Sequence, residues 1–313
     1  LVHAAVAGLA CDGYAANPSI FDARLADARP ARGQQDAAAL FRRALEGSSL
    51  YRAGSTGRVQ DALSFRTLAQ VTGTALAAFA DARDAVETEL NSAADNPLVL
   101  VEAGEILSTA NFHTPAIALA FDALAIAMSY VATASAYRSI KLMTGRLTGL
   151  PDYLTPVGGA SAGFVPLQKT ISALAAEVRL KAYPASLDAI GVSDAVEDLA
   201  PQTPLTIRKF GEQLDLLRWL ISIEALTAAQ AWDLRRAAVD GARPGRAGRE
   251  LEPIARSAAA FLEEDRETGP DVTAVHEALW SEQAIDAVDA IFHDVPSPIA
   301  GRDGAVRVRS QGE

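Results

Sequence analysis

The sequence predicts a mainly α-helical protein built as a bundle of long helices, and three observations lead to this fold class. Apolar or small residues recur at steps of three and four over Leu68–Leu90, which indicates one buried face of a long helix. The run Pro115–Leu142 is nearly all apolar or small, which predicts a helix buried on several sides. The alternation typical of strands is confined to Leu98–Val101 and Ile106–Leu107, so we expect at most one small β-hairpin.

Helical patterns also fill most of the remaining chain. Further helices are predicted over 166–181, 205–236, 251–264 and 272–292. The segments divide one predicted α-helical domain, 1–313, into a core helical region (1–240), a glycine-rich mobile loop (241–250), C-terminal helices (251–293) and a frayed tail (294–313). Several helices carry apolar residues on more than one side, which a monomer of this size cannot bury. We therefore expect an oligomer that shares its central helices.

The run Pro115–Leu142 has a second interpretation, because its length could span a bilayer. It is rich in alanine rather than leucine, and it carries polar residues such as Asp122, Ser129, Thr133 and Ser135. These features favour a buried helix of a soluble bundle over a membrane span.

Composition excludes several functional classes. The 39 acidic and 28 basic residues give a formal net charge of −11, which argues against nucleic-acid binding because phosphate contacts need clustered lysines and arginines. Half of the 313 residues are hydrophobic and 21% are charged, so the chain is not disordered. The single cysteine, Cys11, cannot form an internal disulfide, and this predicts a reducing, cytoplasmic location.

The first ten residues read as the last turns of a helix that begins upstream. The sequence opens on Leu1, its two methionines are Met128 and Met143, and residues 1–10 lack the basic region of a signal peptide. We therefore expect a fragment, a processed piece or one half of a split protein.

A polar stretch, Arg58–Arg66, is the first candidate for chemistry. It brings Gln60, Asp61 and Arg66 close in sequence, and a forked guanidinium there could bind a substrate carboxylate through two hydrogen bonds. The alternative is a structural role, in which Asp61 or Ser64 caps a helix and Arg66 lies on its surface. The stretch by itself leaves both interpretations open.

Three later polar stretches also have two interpretations each. Glu89–Leu98 has Asn and Asp ahead of a proline, which is typical of a turn. Thr109–Thr114 contains His113, which is either a structural or a catalytic histidine. Ser193–Asp198 carries three carboxylates and is either a solvated surface or, if Glu197 is buried, a proton shuttle or ammonium site. The four histidines are scattered, so no metal site is predicted.

Motifs in collinear order over residues 1–240 point to one protein family. The strings are Phe21-Asp22-Ala23-Arg24, Ser48-Ser49-Leu50, Val59-Gln60-Asp61, Ser64-Phe65-Arg66, Asn91 to Leu98, Asn111-Phe112-His113, Gly149-Leu150-Pro151, Gly158-Gly159, Gly163-Phe164, Pro184 to Asp188, Glu197-Asp198 and Ala228-Ala229-Gln230. Together they resemble the aromatic amino acid ammonia-lyases, in particular histidine ammonia-lyase.

The resemblance implies a long-helix bundle of the fumarase and aromatic ammonia-lyase type, assembled as a tetramer whose active sites combine several chains. It implies elimination of ammonia from an amino acid to give an arylacrylate. Arg66 would bind the substrate carboxylate, Gln60 would lie beside the electrophile, and Phe112 would pack near the substrate ring. Glu197 would lie near the amino group or the electrophile and handle the proton or the ammonium. Asn111 is a further substrate-binding position.

Two departures from the family pattern affect the implied chemistry. The family's electrophile is a methylidene-imidazolone formed from Ala-Ser-Gly, whereas Ala160–Gly163 reads Ala-Ser-Ala-Gly and falls in a later motif. We therefore expect this prosthetic group to come from a partner segment. Leu63, at another substrate-binding position, stands where the family has a tyrosine, and Ala62 replaces a bulkier residue or a proline.

The resulting prediction is a C-terminal chain or subunit of an ammonia-lyase-like enzyme that is inactive without its N-terminal half. It would work in a homo- or hetero-oligomer on a small amino acid. Glu197 and His113 favour a histidine-like substrate over a phenylalanine-like one. The alternatives are a noncatalytic or repurposed scaffold subunit, which Leu63 motivates, and an aminomutase, which shares the electrophile.

Overall fold

The longest helix, α9 (Thr203–Ala238), forms the centre of the bundle in the computed structural model, which describes residues 1–187, 190–194 and 196–295. Every residue from Leu220 to Trp232 is buried. Helix α9 packs mainly against α1 (Val2–Tyr14), α6 (Pro115–Leu142) and α8 (Val165–Lys181). The many alanines at these contacts let the helix backbones approach closely.

The mainly α-helical fold class is confirmed, and the part of the chain that the structure describes contains one β-hairpin, at the predicted place. The other α-helices are α2 (Ala23–Ala28), α3 (Gln34–Ala44), α4 (Leu63–Arg66), α5 (Leu68–Leu90), α7 (Gly145–Thr148), α10 (Arg246–Ala258), α11 (Gly269–Leu279) and α12 (Glu282–Phe292). Strands β1 (Leu98–Leu100) and β2 (Glu105–Leu107) pair antiparallel, with Val99 opposite Ile106. Short 3-10 helices cover Pro18–Phe21, Ser49–Tyr51 and Asp152–Leu154.

Helices α5 and α6 begin and end at the residues that the apolar pattern predicted. Within the described residues, α6 is the one helix with the length and composition of a membrane span, and 44% of its most apolar window is buried. It packs against α5, α8 and α9. These contacts give α6 the place of a central helix in the bundle.

The predicted mobile loop over 241–250 is wrong in its second half, because α10 begins at Arg246. The preceding residue is fixed by a buried carboxylate: Asp12 accepts the Gly245 N–H at 2.8 Å and the Ser48 hydroxyl at 2.5 Å. Burial raises the pKa of Asp12 to about 7, against the opposing effect of these two hydrogen bonds. The helix predicted at 251 therefore starts five residues earlier than expected.

The helix predicted over 272–292 is in fact two helices, α11 and α12. Ser281 separates them, because its backbone is extended and its hydroxyl accepts the Ala284 N–H at 3.3 Å as an N-cap. One hydrophobic core nevertheless extends from α1 to α12. Residues 296–313 of the predicted tail lie outside the described residues.

Candidate active site

The first group of predicted site residues lies on and just before α4. Gln60, Leu63 and Arg66 are all exposed and follow one another at steps of three, so they share the outer side of this segment. Arg66 Nη1 donates a hydrogen bond to Gln60 Oε1 at 3.0 Å. The structure therefore brings together the amide and the guanidinium that the sequence placed in one site. Leu63, between them in sequence, adds an apolar side chain that is 66% exposed.

The inner side of the same segment is fixed to the core. The Asp61 carboxylate accepts the Asn17 N–H at 2.6 Å and the Arg58 Nε–H at 3.1 Å. The Phe65 ring is fully buried and stacks on the Tyr14 ring, with 4.0 Å between centroids. Neither Asp61 nor Ser64 caps α4, whose N-cap is Ala62 without a side-chain hydrogen bond, so the predicted capping role is wrong. Asp61 instead fixes this segment to Asn17 and Arg58, while Arg66 lies at the surface.

Behind α4 lies a buried ion pair that the sequence analysis missed. Arg138 on α6 and Glu224 on α9 have fully buried side chains, and Arg138 Nε donates to Glu224 Oε1 at 2.5 Å. Arg138 Nη1 also donates to the Ser64 carbonyl oxygen at 3.2 Å. The signal in the sequence was a single charge in each of two long, otherwise uncharged stretches, Arg138 within 123–140 and Glu224 within 219–232.

The second group of predicted site residues precedes α6. Asn111 is exposed and its side-chain amide donates to the Ala93 carbonyl at 3.3 Å, while Phe112 is 57% exposed. His113, next in sequence, is partly buried. The Thr114 and Thr203 hydroxyls are 2.9 Å apart and join the start of α6 to the start of α9.

Glu197 lies in the loop between α8 and α9, at the same end of α6 as Phe112. Its side chain is exposed, and its backbone pairs with Val192 through hydrogen bonds of 2.9 and 3.3 Å. The burial that would turn Glu197 into a proton shuttle is therefore not found within one copy of the chain. The start of this loop is fixed more firmly, since Asp122 accepts the Ala185 and Ser186 N–H groups at 2.9 Å.

Asp122 also forms an ion pair with Lys209 at 2.7 Å. Burial acts to raise the pKa of Asp122, but the hydrogen bonds from Lys209 and Ser186 outweigh it and hold that pKa below its usual range. This carboxylate is therefore charged in the folded protein and joins α6, α9 and the loop after α8.

One chain does not bring its two groups of site residues together. Arg138, which contacts α4, lies 23 residues after Pro115, the first residue of α6, and an α-helix rises about 1.5 Å per residue. About 35 Å of helix therefore separates Arg66 from Phe112. A site that contains both needs more than one copy of the chain.

The string Ala160–Gly163 is a turn held by a carboxylate. Asp265 accepts the Ala162 and Gly163 N–H groups at 2.8 Å each, and the Ser161 hydroxyl as well. These three hydrogen bonds lower the pKa of Asp265. Across the described ranges of the chain, histidine, cysteine and carboxylate side chains form no cluster suited to a metal ion.

The fold and the outward-facing Gln60–Arg66 pair agree with a match to a known family. A family model described as aromatic amino acid lyase matches residues 1–259. The chain belongs to this aromatic amino acid lyase family.

Its similar relatives include histidine ammonia-lyases. The chain is 37% identical to the histidine ammonia-lyase of Burkholderia multivorans over 274 residues, which cover 87% of this chain and 53% of that protein. It is 37% identical to the histidine ammonia-lyase of Aromatoleum aromaticum over 281 residues, covering 88% and 52%. The chain thus spans about half the length of the curated relatives it matches.

Solved structures of the same fold include lyases and aminomutases. Ergothionase, an ergothioneine-degrading enzyme from Treponema denticola, superposes with a TM-score of 0.87 at 30% identity, covering 91% of this chain and 56% of that chain. Histidine ammonia-lyase from Trypanosoma cruzi gives 0.83 at 29%, covering 96% and 56%. Tyrosine aminomutase from Streptomyces globisporus also gives 0.83 at 29%, covering 92% and 58%. The fold alone does not distinguish these reactions.

Proposed function

We propose that this chain supplies the C-terminal half of an ammonia-lyase-type enzyme, which eliminates ammonia from an aromatic or histidine-like amino acid to give an arylacrylate. The observation that carries the proposal is the exposed Gln60–Arg66 pair, joined at 3.0 Å on a segment whose inner side is fixed in the core. The family resemblance gives these two positions the amide beside the electrophile and the carboxylate-binding arginine.

Arg66 would orient the substrate. A guanidinium has five N–H donors, and Arg66 uses one in the bond to Gln60. The remaining donors suit bidentate binding of the substrate carboxylate, which fixes the direction of the bond that breaks. Glu197 would accept the proton or hold the departing ammonium once a neighbouring chain covers it. Phe112, with Asn111 beside it, would contact the aromatic ring.

The methylidene-imidazolone would come from a segment equivalent to the N-terminal half of the relatives. Residues of this chain do not fit its formation, because there is no Ala-Ser-Gly and Ala160–Gly163 is held as a turn by Asp265. When bound, this group supplies the electrophile that makes the amino group a better leaving group. Gln60 and Arg66 face outward and would lie beside it.

The enzyme would work as an oligomer with sites shared between chains. The separation of Arg66 from Phe112 along α6 is the first support. The second is an apolar stripe along one side of α6, formed by exposed Leu119, Ile126 and Tyr130. Such a stripe is a contact surface, because soluble proteins rarely leave one uncovered. A tetramer-like core, in which copies of the chain share this surface, fits the stripe. A cytoplasmic location fits the single cysteine, Cys11, which is free.

Two alternatives each have an observation in their favour. Leu63, between Gln60 and Arg66 in sequence, is an exposed apolar residue where the family resemblance implies a tyrosine hydroxyl, and this favours a noncatalytic or repurposed scaffold subunit. The likeness to tyrosine aminomutase favours an aminomutase, which would return the ammonia to the neighbouring carbon.

Native mass spectrometry of the protein purified from its source without denaturant, with peptide sequencing of every chain present, tests the proposal. We expect several copies of this chain together with a segment carrying Ala-Ser-Gly, and arylacrylate absorbance from an amino acid substrate. Assembly of this chain only with itself, without that tripeptide, would contradict the lyase and leave the scaffold. A β-amino acid product would indicate the aminomutase.

The variant Arg66→Ala then tests the assigned site. Turnover should fall by at least about a hundredfold, because the substrate loses a charge-assisted clamp. Assembly should not change. Arg32→Ala is a matched control, since Arg32 is also an exposed arginine that hydrogen-bonds to a side chain, that of Asp81. Equal activity of the two variants would place the carboxylate site elsewhere.

A further inference from the structure

A buried ion pair between Arg138 and Glu224 joins α6 to α9 through several hydrogen bonds. Arg138 donates from Nε to Glu224 Oε1 at 2.5 Å and from Nη2 to Oε2 at 2.8 Å. The Ser135 hydroxyl donates to the same Oε2 at 2.5 Å. Because both side chains are fully buried, the guanidinium has one orientation, set by its fork on the carboxylate.

The remaining guanidinium nitrogen of Arg138 bonds to α4 rather than to Glu224. Arg138 Nη1 donates to the Ser64 carbonyl oxygen at 3.2 Å. Helix α4 has only four residues and no side-chain cap at its N-terminus. A helix this short has few hydrogen bonds of its own, so its orientation depends on contacts from outside.

The orientation of α4 decides which side chains face outward. Gln60, Leu63 and Arg66 are exposed, whereas Phe65 is fully buried. Rotation of α4 about its axis would carry Arg66 away from Gln60. The Ser64 carbonyl lies between these two site residues in sequence and is the backbone atom that the buried guanidinium holds.

We infer that Arg138 is a positioning residue, which orients the Gln60–Arg66 pair through the Ser64 carbonyl. Glu224, itself held by the Ser135 hydroxyl, orients Arg138. Lysine cannot replace it, since an ammonium cannot span both carboxylate oxygens and a carbonyl in fixed directions. The effect on substrate binding rests on the proposed function. The anchoring of α4 does not, and it can be measured without any turnover.

Hydrogen exchange of Arg138→Lys tests the anchor directly. The Phe65 and Arg66 N–H groups donate to the Ala62 carbonyl at 3.0 Å, so their exchange reports on α4. We expect these two amides to exchange about tenfold faster or more in the variant, because a hydrogen bond to a charged group is lost. Amides in the middle of α9 should keep their protection.

Arg256→Lys is the matched control. Arg256 also lies in a mostly buried ion pair, donating to Asp233 at 2.7 Å, and makes no hydrogen bond to α4 among the described residues. Its replacement should leave exchange in α4 unchanged. If Arg138→Lys does not fold, Ser135→Ala removes the hydrogen bond that holds Glu224, the partner of Arg138, and should give a smaller change at the same two amides. Unchanged exchange at Phe65 and Arg66 in a folded variant would overturn the inference.

The complete enzyme gives the second test. With its electrophile-bearing segment present, Arg138→Lys should raise KM by about tenfold and change kcat less, since the carboxylate clamp is displaced in the ground state as well as in the transition state. A faster-exchanging α4 with an unchanged KM would overturn the positioning role. Absence of turnover in the unmodified enzyme would instead contradict the proposed function, and the exchange result would still decide the anchor.

Discussion

The two ends of helix α6 support their predicted site residues in different ways. At the C-terminal end, α4 is held from behind by Arg138 and Glu224, whose side chains are fully buried. At the N-terminal end, Phe112 lies on a loop whose contacts are at the surface, such as the bond from the Thr109 N–H to Asn96 Oδ1 at 2.9 Å. The end that would bind a charged carboxylate carries its own rigid support. Under the proposed assembly, a neighbouring chain would support the other end.

The largest loss of stability is expected when one partner of the buried Arg138–Glu224 pair is replaced. Glu224→Leu leaves Arg138 buried without its partner and should reduce the free energy of unfolding by about 3–5 kcal/mol. The double variant Arg138→Met with Glu224→Leu should recover most of this loss, because no charge remains buried. Urea unfolding of the two variants measures the difference. A single variant as stable as the double one would show that the pair does not support this end.

The free energy of unfolding should depend on pH through Asp12, by at most about 4 kcal/mol. Asp12 lies two residues before Tyr14, whose ring stacks on Phe65. The pKa of Asp12 is about 7 in the folded protein, against an ordinary value of 3.8 when the chain is unfolded, so between these values the folded state binds more protons. The contribution of Asp12 to stability therefore falls as pH rises from about 4 to about 7, and is constant above.

Asp12→Asn should remove this dependence, which can be measured by urea unfolding at pH 5 and pH 8. The wild type should lose more stability than the variant between the two. Parallel pH profiles would show that another group is responsible.

At the other end of α6, Asp122→Ala should cost about 1–3 kcal/mol, because the Ala185 and Ser186 N–H groups and Lys209 lose their acceptor. Because the pKa of Asp122 is lowered in the folded protein, its contribution to stability is fully present above the ordinary carboxyl pKa and is lost as pH falls through the lowered pKa. The stability difference between the variant and the wild type should therefore narrow as pH falls below the ordinary carboxyl range. Hydrogen exchange at Ala185 and Ser186 gives a local readout, and no acceleration there would exclude this anchor.

The smallest effect on stability is expected for Leu63→Tyr. Leu63 is 66% exposed, so the change should lie within about 0.5 kcal/mol. In the complete assembly the restored hydroxyl should raise lyase turnover if the chain serves an enzyme. Thermal unfolding and arylacrylate absorbance measure the two quantities. Unchanged turnover would favour the scaffold subunit.

The sequence alone was sufficient to predict the long helices α5 and α6 and the hairpin. The periodic apolar residues of α5 and the unbroken apolar run of α6 are local patterns, and the structure follows them to the residue. The start of α10 could not be predicted from the neighbouring sequence, because it depends on Asp12, more than two hundred residues away. The break at Ser281 had a local signal, a serine three residues before the Ala284 amide that it caps, but the apolar period hid it.

The site was predictable in its parts and not in its arrangement. The step of three that joins Gln60, Leu63 and Arg66 is visible in the sequence, and the structure places all three on one side. Their separation from Phe112 follows from the direction of α6 and could not be read from motifs. Arg138 and Glu224 were passed over because pairing between two helices requires their packing to be known.

The length of α6 also has a genetic consequence. Under the proposed assembly, Arg66 and Phe112 of one polypeptide serve different sites, because about 35 Å of helix lies between them. Two inactive proteins, one altered at Arg66 and the other at Phe112, would then form mixed oligomers in which some sites receive both intact residues. Co-expression of the two alleles should restore part of the turnover that neither shows alone.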